Sequence, residues 1–295
     1  MKQTLSYYLT LLVIKLKGIK KNFVNDPIDF KKIRKEDIHY PSSKLFKNKL
    51  FRTFKISHSL ISEIGSDQNS EKLLIFIHGG AFISGPAKHH WDTVKVMANK
   101  LNCKIWVCDY PKAPENKINK ISENIDSIFY SARKSYEANQ ISILGDSVGG
   151  TLATALVQRL ILRKLELPTK LILVTPMMDA SMSNPEIKTF EKVDPMLSKT
   201  GIVSAKKMCA GTKDLKDQMI SPLYGSFKGF PDTILFLAQK DILYPDAKLA
   251  EIKMEKSNVN IKVIEGENMP HIWPFLPVMK EAKTSLNQMI HLIKT

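Results

Sequence analysis

Residues 141–150 have the sequence ISILGDSVGG, which is the strongest signal in the chain. The four leading apolar residues predict a buried strand, and the residues after the glycines have helical periodicity. A G-x-S-x-G pattern between a strand and a helix is typical of a nucleophile elbow, a sharp turn that holds a serine at the strand's end. Gly145 and Gly149 suit this turn because neither has a Cβ that could clash across it. We therefore predict that Ser147 is a nucleophile; the alternative is a glycine-rich turn that only caps a helix.

The alternation of strands and helices continues on both sides of this turn. Strands are predicted at 52–58, 73–77, 104–108, 141–144, 170–174, 234–238 and 261–264, and helices at 118–132, 148–162 and 275–293. Most of the strands are continuous apolar runs, which is typical of a parallel sheet covered on both faces. The pattern predicts an α/β fold with a mainly parallel central sheet and helices on both faces.

Two segments interrupt this alternation. Residues 1–50 are basic and helix-like, and residues 177–230 are rich in Met, Pro and Ser with no evident strand. A long insertion between two core strands is more often a lid than a slack loop. We predict an N-terminal helical cap segment over 1–50 and an α/β domain over 51–295 with a cap insertion at about 177–230.

The sequence HGGAF at 78–82 directly follows the predicted strand 73–77. In acyl transfer, negative charge develops on the carbonyl oxygen of the substrate, and backbone N–H groups in a tight glycine-rich loop can stabilise it. The pattern therefore predicts an oxyanion hole. A plain turn after the strand is the alternative.

A serine nucleophile needs a base, which follows the nucleophile along the chain in folds with this type of elbow. Of the seven histidines, only His271 and His291 come after Ser147. His291 lies among the polar positions of the last predicted helix. His271 lies in a loop after the predicted strand 261–264, where it could reach the carboxyl edge of the sheet. We predict that His271 is the base.

The base needs an acid to orient it, and three aspartates compete for this role. Asp241 follows the strand 234–238 and precedes His271 by thirty residues. Asp246 follows Pro245 and is predicted to lie in the first turn of a helix, where the helix dipole accounts for an acidic residue. Asp179, after strand 170–174, is the weaker rival. We predict that Asp241 is the acid.

Further motifs occur in order between about residues 74 and 275. They are HGGAF (78–82), DYPKAPEN (109–116), GDSVGG (145–150), NPEI (184–187), DPML (194–197), SPLYG (221–225), KDILYPDA (240–247) and the loop with His271. Together they resemble the hormone-sensitive-lipase-like esterases, a family of α/β-hydrolases. The resemblance implies the α/β-hydrolase fold and a catalytic triad of Ser147, Asp241 and His271.

The resemblance also implies the groups that form the oxyanion hole. These are the backbone N–H groups of Gly80, Ala81 and Val148, with Gly79 shaping the turn. The sequence departs from the family at two points. Ala81 replaces the third glycine, which keeps the N–H but adds a methyl group. Residues 111–115 are PKAPE where the family has Arg-Leu-Ala-Pro-Glu, so an arginine that braces this loop is missing.

The implied activity is hydrolysis of short- to medium-chain carboxylic esters, or of lactones, through an acyl-enzyme intermediate. No cofactor is expected, and no metal, because the His and Cys residues lack metal-ligand spacing. Two alternatives stay open. One is an amide or N-acetyl hydrolase with the same triad. The other is a non-catalytic small-molecule receptor of the same fold, against which the presence of His271 argues.

Composition and charge restrict the partners. The 295 residues are 43% hydrophobic and 25% charged, which excludes a disordered, collagen-like or disulfide-scaffold protein. Three cysteines cannot all pair within one chain, so we expect a reducing, cytoplasmic setting. Fourteen of the 44 Lys and Arg residues but only four of the 29 Asp and Glu residues lie in 1–60. A solvated surface or a face toward an anionic membrane would explain this; no nucleic-acid motif is present.

The uncharged, largely apolar residues 4–14 are too few to cross a bilayer. Lysines follow instead of a cleavage site, so we expect the mature chain to start at residue 1. A stripe at helical spacing is formed by Leu5, Tyr8, Leu9, Leu12 and Leu16. We expect this stripe to pack against the 177–230 insertion; the alternative is a weak membrane-surface contact through residues 4–21, peripheral to the cytoplasmic protein.

Overall fold

The computed structural model describes residues 3–65 and 70–295, and its centre is an eight-stranded sheet. The strands are β1 (Leu50–Ile56), β2 (Ser59–Gly65), β3 (Leu73–Ile77), β4 (Lys104–Asp109), β5 (Ile141–Asp146), β6 (Lys170–Val174), β7 (Asp232–Lys240) and β8 (Ile261–Pro270). They lie in the order β1-β2-β4-β3-β5-β6-β7-β8. β2 is antiparallel to β1 and β4, and all other neighbours are parallel.

Helices connect the parallel strands and cover both faces of the sheet. The helices are α1 (Leu5–Leu16), α2 (Phe30–Ile33), α3 (Lys88–Lys100), α4 (Ile118–Ala132), α5 (Val148–Leu162), α6 (Ile187–Val193), α7 (Lys199–Ala210), α8 (Tyr244–Lys256) and α9 (Lys280–Lys294). Short 3-10 turns occur at Ile19–Phe23, Arg34–Glu36, Ser43–Phe46, Ala138–Gln140, Pro222–Tyr224 and Trp273–Phe275. The predicted helices over 118–132 and 148–162 are confirmed.

The core has two layers because successive side chains of a strand point to opposite faces. Ile75 and Ile77 of β3 lie in the layer formed with α4 and α5. Leu74 and Phe76 of the same strand lie in the layer formed with α3 and α9. All five residues of β3 are buried, as expected for a strand covered on both faces. The predicted α/β fold is confirmed.

Strand β2 is absent from the predicted strands because its sequence, SLISEIG, interrupts apolar residues with polar ones. The structure nevertheless buries it between β1 and β4. Its Glu63 accepts hydrogen bonds from Arg52 Nε at 2.7 Å and from Trp106 Nε1 at 2.7 Å. These partners satisfy the carboxylate, which is what allows a charged residue to lie inside a strand buried on both faces.

The last helix begins at Lys280 instead of residue 275. Trp273–Phe275 form a 3-10 turn, and Leu276 precedes Pro277. A proline disfavours the helical backbone conformation in the residue before it, so the regular helix starts only after Pro277.

The N-terminal helix packs differently from our expectation. The buried residues of α1 are Tyr7, Thr10 and Ile14, and Tyr7 Oη donates to the carbonyl of Asn268 at 2.8 Å. The predicted stripe is exposed to solvent. The exposed fraction of its residues is 49–76% for Leu5, Tyr8, Leu9, Leu12 and Leu16. The expectation that this stripe packs against the 177–230 insertion is therefore wrong, because the buried residues lie on the opposite face of the helix, where Tyr7 contacts β8.

Residues after α1 do contact the insertion. The Lys20 ammonium donates to the carbonyl oxygens of Glu191 and Asp194, at 2.5 and 2.8 Å. The backbone N–H of Ile28 donates to Ser204 Oγ at 2.9 Å. The structure describes all of residues 177–230, which contain α6 and α7 and, as predicted, no strand. The division into a cap segment and an α/β domain stays a prediction.

Candidate active site

Four loops meet at the carboxyl edge of the sheet. They follow the parallel strands β3, β5, β7 and β8 and begin with His78, Ser147, Asp241 and His271. Ligand and reaction sites of open α/β sheets lie outside the carboxyl ends of the strands. The structure thus gathers at one edge the residues that the sequence singled out.

Ser147 has a strained backbone, as a nucleophile elbow requires. Its φ of 51° and ψ of −120° lie outside the regions that L residues favour, and such conformations cost of order 1–3 kcal/mol. Its N–H donates to the carbonyl of Val174 at 2.9 Å, and its carbonyl accepts from Met177 N at 3.1 Å. A Cβ on Gly145 would lie 2.4 Å from the carbonyl oxygen of Gly149. Only glycine therefore permits the strand and helix to approach this closely.

His271 and Asp241 form a buried pair. Nδ1 of His271 lies 2.6 Å from Oδ2 of Asp241, and the two side chains are 5% and 1% exposed. Oδ1 of Asp241 accepts the N–H of Leu243 at 2.9 Å. Since a carboxylate can only accept, Nδ1 carries the proton and Nε2 is left as the acceptor in the neutral ring. The loop is fixed by the N–H of Ile272, which donates to Thr175 Oγ1 at 3.1 Å.

Two opposing effects act on the pKa of His271. Burial alone would lower it, but the charge of Asp241 and the hydrogen bond to that carboxylate raise it, and the net pKa lies above the ordinary 6.5. The neutral ring, which can accept a proton, therefore predominates only on the alkaline side of this raised pKa.

Asp194 is a buried acid beside Asp241 that the sequence reasoning did not place in the site. Its Oδ1 accepts the N–H groups of Met196 and Leu197 at 2.6 and 2.8 Å, and its Oδ2 accepts that of Ile242 at 2.8 Å. Burial and the nearby Asp241 charge raise the pKa of Asp194. This carboxylate thus connects the insertion to the residue after Asp241. In the sequence, Asp194 is the first residue of the motif DPML, which could have pointed to it.

The rival residues have other contacts. Asp246 lies in the first turn of α8, as predicted, and accepts from Asn184 Nδ2 at 2.9 Å; burial raises its pKa to about 6. Asp179 accepts from hydroxyl groups, including that of Tyr224 at 2.9 Å. His291 is exposed near the end of α9. Within the described ranges, none of these three forms a hydrogen bond with His271.

The loop after β3 presents free N–H groups beside Ser147. Gly80 and Ala81 have φ angles of 120° and 56°. In the described part of the chain, the N–H groups of Gly80, Ala81 and Val148 have no hydrogen-bond acceptor. Val148 is also the first residue of α5, where the helix dipole favours negative charge.

Gly79 differs because its N–H is already used. It donates to Oδ1 of Asp146 at 2.9 Å. A Cβ on Gly79 would lie 2.4 Å from Asp146 Oδ2 and 3.0 Å from Ser147 Cβ. The absence of a side chain thus lets the loop contact the elbow, which fits the shaping role predicted for this glycine.

An arginine from the N-terminal segment braces this loop. Arg34 Nε donates to the carbonyl of Ile83 at 2.7 Å, and its Nη2 donates to that of Ala113 at 2.7 Å. The guanidinium also forms a bidentate pair with Glu115, at 2.8 and 2.7 Å. Residues 111–115 contain no arginine, and Arg34, about eighty positions earlier in the chain, bonds to Ala113 and Glu115 of this segment. The sequence held no local signal for this contact.

One cluster could be considered for a metal. Ligand atoms of His89, His90 and Asp146 lie within 4.8 Å of one another. However, Nδ1 of His90 accepts the N–H of Ala87 at 2.9 Å, so its Nε2 carries the proton and faces Asp146 Oδ2 at 3.4 Å. Asp146 also holds Gly79. These hydrogen bonds account for His90 and Asp146, and we assign no metal to the cluster.

Comparison with known proteins gives a consistent picture. Residues 74–275 match the family model of the alpha/beta hydrolase fold. An esterase of Acinetobacter venetianus is 32% identical over 205 residues, which are 68% of this chain and 66% of that protein. The esterase LipU of Mycobacterium tuberculosis is 26% identical over 218 residues, 70% and 69% of the two chains. The chain thus spans about two thirds of the length of both relatives.

A solved structure extends the likeness over nearly the whole chain. The crystal structure of an esterase from the bacterial hormone-sensitive lipase family superposes with a TM-score of 0.87. The superposition covers 99% of this chain and 98% of the other, at 19% sequence identity. At this identity the likeness concerns the fold alone.

Proposed function

Because this chain belongs to the alpha/beta hydrolase family, of the hormone-sensitive-lipase-like kind, we propose that it hydrolyses carboxylic esters with Ser147, His271 and Asp241 as its triad. The observation that carries the proposal is the buried 2.6 Å contact between His271 and Asp241. It lies at the same edge of the sheet as the strained serine and the free N–H groups. The esterase activity named for the relatives supports the same reaction.

The geometry suggests a division of roles. Nε2 of His271 accepts the proton of Ser147 Oγ as the oxygen attacks the ester carbonyl, and Asp241 stabilises the imidazolium that forms. The N–H groups of Gly80, Ala81 and Val148 stabilise the oxyanion. His271 then gives its proton to the departing alcohol. Water, which gives a proton to His271, then attacks the acyl group, and the carboxylic acid leaves Ser147.

A series of p-nitrophenyl esters from C2 to C12 tests this proposal on the wild type and on Ser147→Ala. We expect hydrolysis of the short- and medium-chain esters by the wild type, and a loss of at least about 10⁴-fold in kcat in the variant. Matched p-nitroanilides separate an ester hydrolase from an amide hydrolase. Faster cleavage of the anilides would replace the proposed reaction, and full ester hydrolysis by Ser147→Ala would refute the role of Ser147.

We further propose that α1 contacts the surface of an anionic membrane. Its outer face exposes six large apolar side chains, namely Leu5, Tyr8, Leu9, Leu12, Val13 and Leu16. Lys15, Lys17 and Lys21 are exposed beside this face, whereas Lys20 is engaged with the insertion. An apolar stripe flanked by lysines is typical of a helix that lies in the membrane interface. Among residues 3–65 and 70–295, no helix is both long enough and apolar enough to cross a bilayer.

Cosedimentation with lipid vesicles tests this contact. The wild type should bind phosphatidylserine-containing vesicles at low salt and release them at high salt, because the lysines are screened. Leu12→Ser/Leu16→Ser should lose binding and keep its esterase activity, since both side chains face away from the protein. Leu162→Ser on α5 is the control, because Leu162 is as exposed as Leu16, at 77% and 76%. A wild-type protein that does not cosediment with anionic vesicles at low salt would refute the contact.

A further inference from the structure

Lys206 is a buried cation that has no part in the reaction above, and its side chain lies next to the oxyanion loop. It lies on α7 and is 1% exposed, and its Nζ lies 4.7 Å from the centre of the Phe82 ring. Phe82 directly follows Ala81, whose N–H is proposed to hold the oxyanion, and consecutive Cα atoms are only about 3.8 Å apart. The insertion thus packs this ammonium on the side chain of the residue next to Ala81.

Nothing in the described part of the chain neutralises this ammonium. No carboxylate, carbonyl or hydroxyl oxygen of residues 3–65 and 70–295 accepts a hydrogen bond from Lys206 Nζ. Lysine is almost never fully buried without a partner, because desolvation of the charge is costly. The aromatic ring offsets only part of this cost. Burial accordingly lowers the pKa of Lys206 to about 7.

A second lysine of the same chain shows the usual solution. The side chain of Lys112 is 9% exposed, and its Nζ lies 5.6 Å from the centre of the Tyr110 ring. It also forms an ion pair with the carboxylate of Asp109. Lys206 has the aromatic ring but, among the described residues 3–65 and 70–295, no carboxylate bonded to it. The contrast indicates that its anionic partner comes from the substrate.

Building on the ester hydrolysis proposed above, we propose that Lys206 binds a carboxylate of the substrate. The preferred substrates are then esters that carry a second, ionised carboxyl group. The bound carboxylate would accept a charge-assisted hydrogen bond from Nζ. An uncharged ester of the same length would leave the ammonium buried without a partner, and sites with buried polar groups discriminate strongly against such analogues.

Two pairs of esters test this inference. Mono-p-nitrophenyl adipate and p-nitrophenyl hexanoate share a six-carbon acyl chain and differ in a terminal carboxylate or methyl group. The pair 4-acetoxybenzoate and 4-methylphenyl acetate places the same difference on the alcohol side. The measured quantity is the ratio of kcat/KM for the charged ester to that for the neutral ester, in the wild type, Lys206→Met and Lys207→Met. Lys207 is the matched control, because it is the next residue on α7 and its side chain is 63% exposed.

The ratio should fall about tenfold or more in Lys206→Met for at least one pair, because one charge-assisted hydrogen bond is lost. That pair also shows which side of the ester carries the carboxylate. Lys207→Met should keep the wild-type ratio. Methionine keeps most of the apolar stem of lysine, and the melting temperature of Lys206→Met checks that the fold is intact.

Two results would overturn the inference. If the neutral esters are hydrolysed and both ratios are the same in Lys206→Met and the wild type, Lys206 binds no substrate carboxylate and the ester hydrolysis itself stands. If neither member of either pair is hydrolysed, the proposed function fails and this inference fails with it.

Discussion

Replacing Arg34 by methionine should lower both stability and catalysis, because this residue braces the oxyanion loop from a distant part of the chain. The variant loses two hydrogen bonds to the carbonyls of Ile83 and Ala113, at 2.7 Å each. Hydrogen bonds from a charged donor contribute about 1.5–3 kcal/mol each when buried, and these are partly exposed. The pair with Glu115 adds little, since that carboxylate is 55% exposed and such pairs contribute about 0–1 kcal/mol. We expect a loss of roughly 2–4 kcal/mol in the free energy of unfolding.

The catalytic effect follows from the position of the loop. Misplacing reacting groups by about 1 Å can cost 10²-fold. Other contacts still hold the loop, such as the N–H of Gly85 bonded to Asp37 at 2.6 Å. We therefore expect a smaller decrease in kcat for p-nitrophenyl acetate, about tenfold.

A matched control separates the two effects. Arg133 has similar exposure, 21% against 26%. Like Arg34 it bonds both carbonyl and carboxylate oxygens, in its case one carbonyl and two carboxylates. It lies at the end of α4, away from the candidate site. Arg133→Met should lose stability in a urea titration and keep its kcat. An unchanged kcat in Arg34→Met, or an equal loss in Arg133→Met, would refute the bracing role.

Three further predictions concern the candidate site. Asp241→Asn should lower kcat by about 10⁴-fold by favouring the wrong tautomer of His271. Asp246→Asn should leave kcat within about twofold, since Asp246 lies in the first turn of α8 and bonds Asn184 instead of His271; reversed magnitudes would exchange their roles. A profile of kcat/KM against pH should fall on the acid side with a midpoint above 6.5, because the pKa of His271 is raised and the protonated ring cannot accept a proton. In Asp241→Asn this midpoint should move to lower pH. A profile that stays flat down to about pH 5 would contradict a histidine base. Gly79→Ala should lose most activity, because its Cβ would meet Asp146 Oδ2 at 2.4 Å; wild-type activity would show that the loop need not touch the elbow.

The sequence predicted the sheet well, and it indicated which residues lie at the carboxyl edge of that sheet, because both depend on local patterns. Buried parallel strands are continuous apolar runs, and the residues after them come together once the strands pair. Ser147 and His271 could therefore be placed at one edge from the order of the motifs alone. Strand β2 was missed because its Glu63 is satisfied by side chains from two neighbouring strands, and no pattern within β2 shows these partners.

The long-range contacts could not be predicted. The contacts of Arg34 with Ile83 and Ala113 join residues 49 and 79 positions apart, and only the folded chain shows them. The apolar stripe of α1 was predicted as a buried face, but the shorter set of Tyr7, Thr10 and Ile14 is buried instead. Periodicity identifies an apolar face and does not tell whether protein or solvent covers it. Lys206 gave no signal either, because a lysine between helical residues is usually solvated.

Labelling with an active-site phosphonate tests the central claim most directly. A fluorophosphonate ester phosphonylates a serine whose oxygen is activated by a neighbouring base, and fluoride leaves. Intact-mass and peptide mass spectrometry therefore report the nucleophile itself. We predict one label per chain, on the peptide that carries Ser147, and no label in Ser147→Ala. A label on another serine, or an unlabelled protein that still hydrolyses p-nitrophenyl acetate, would contradict the account.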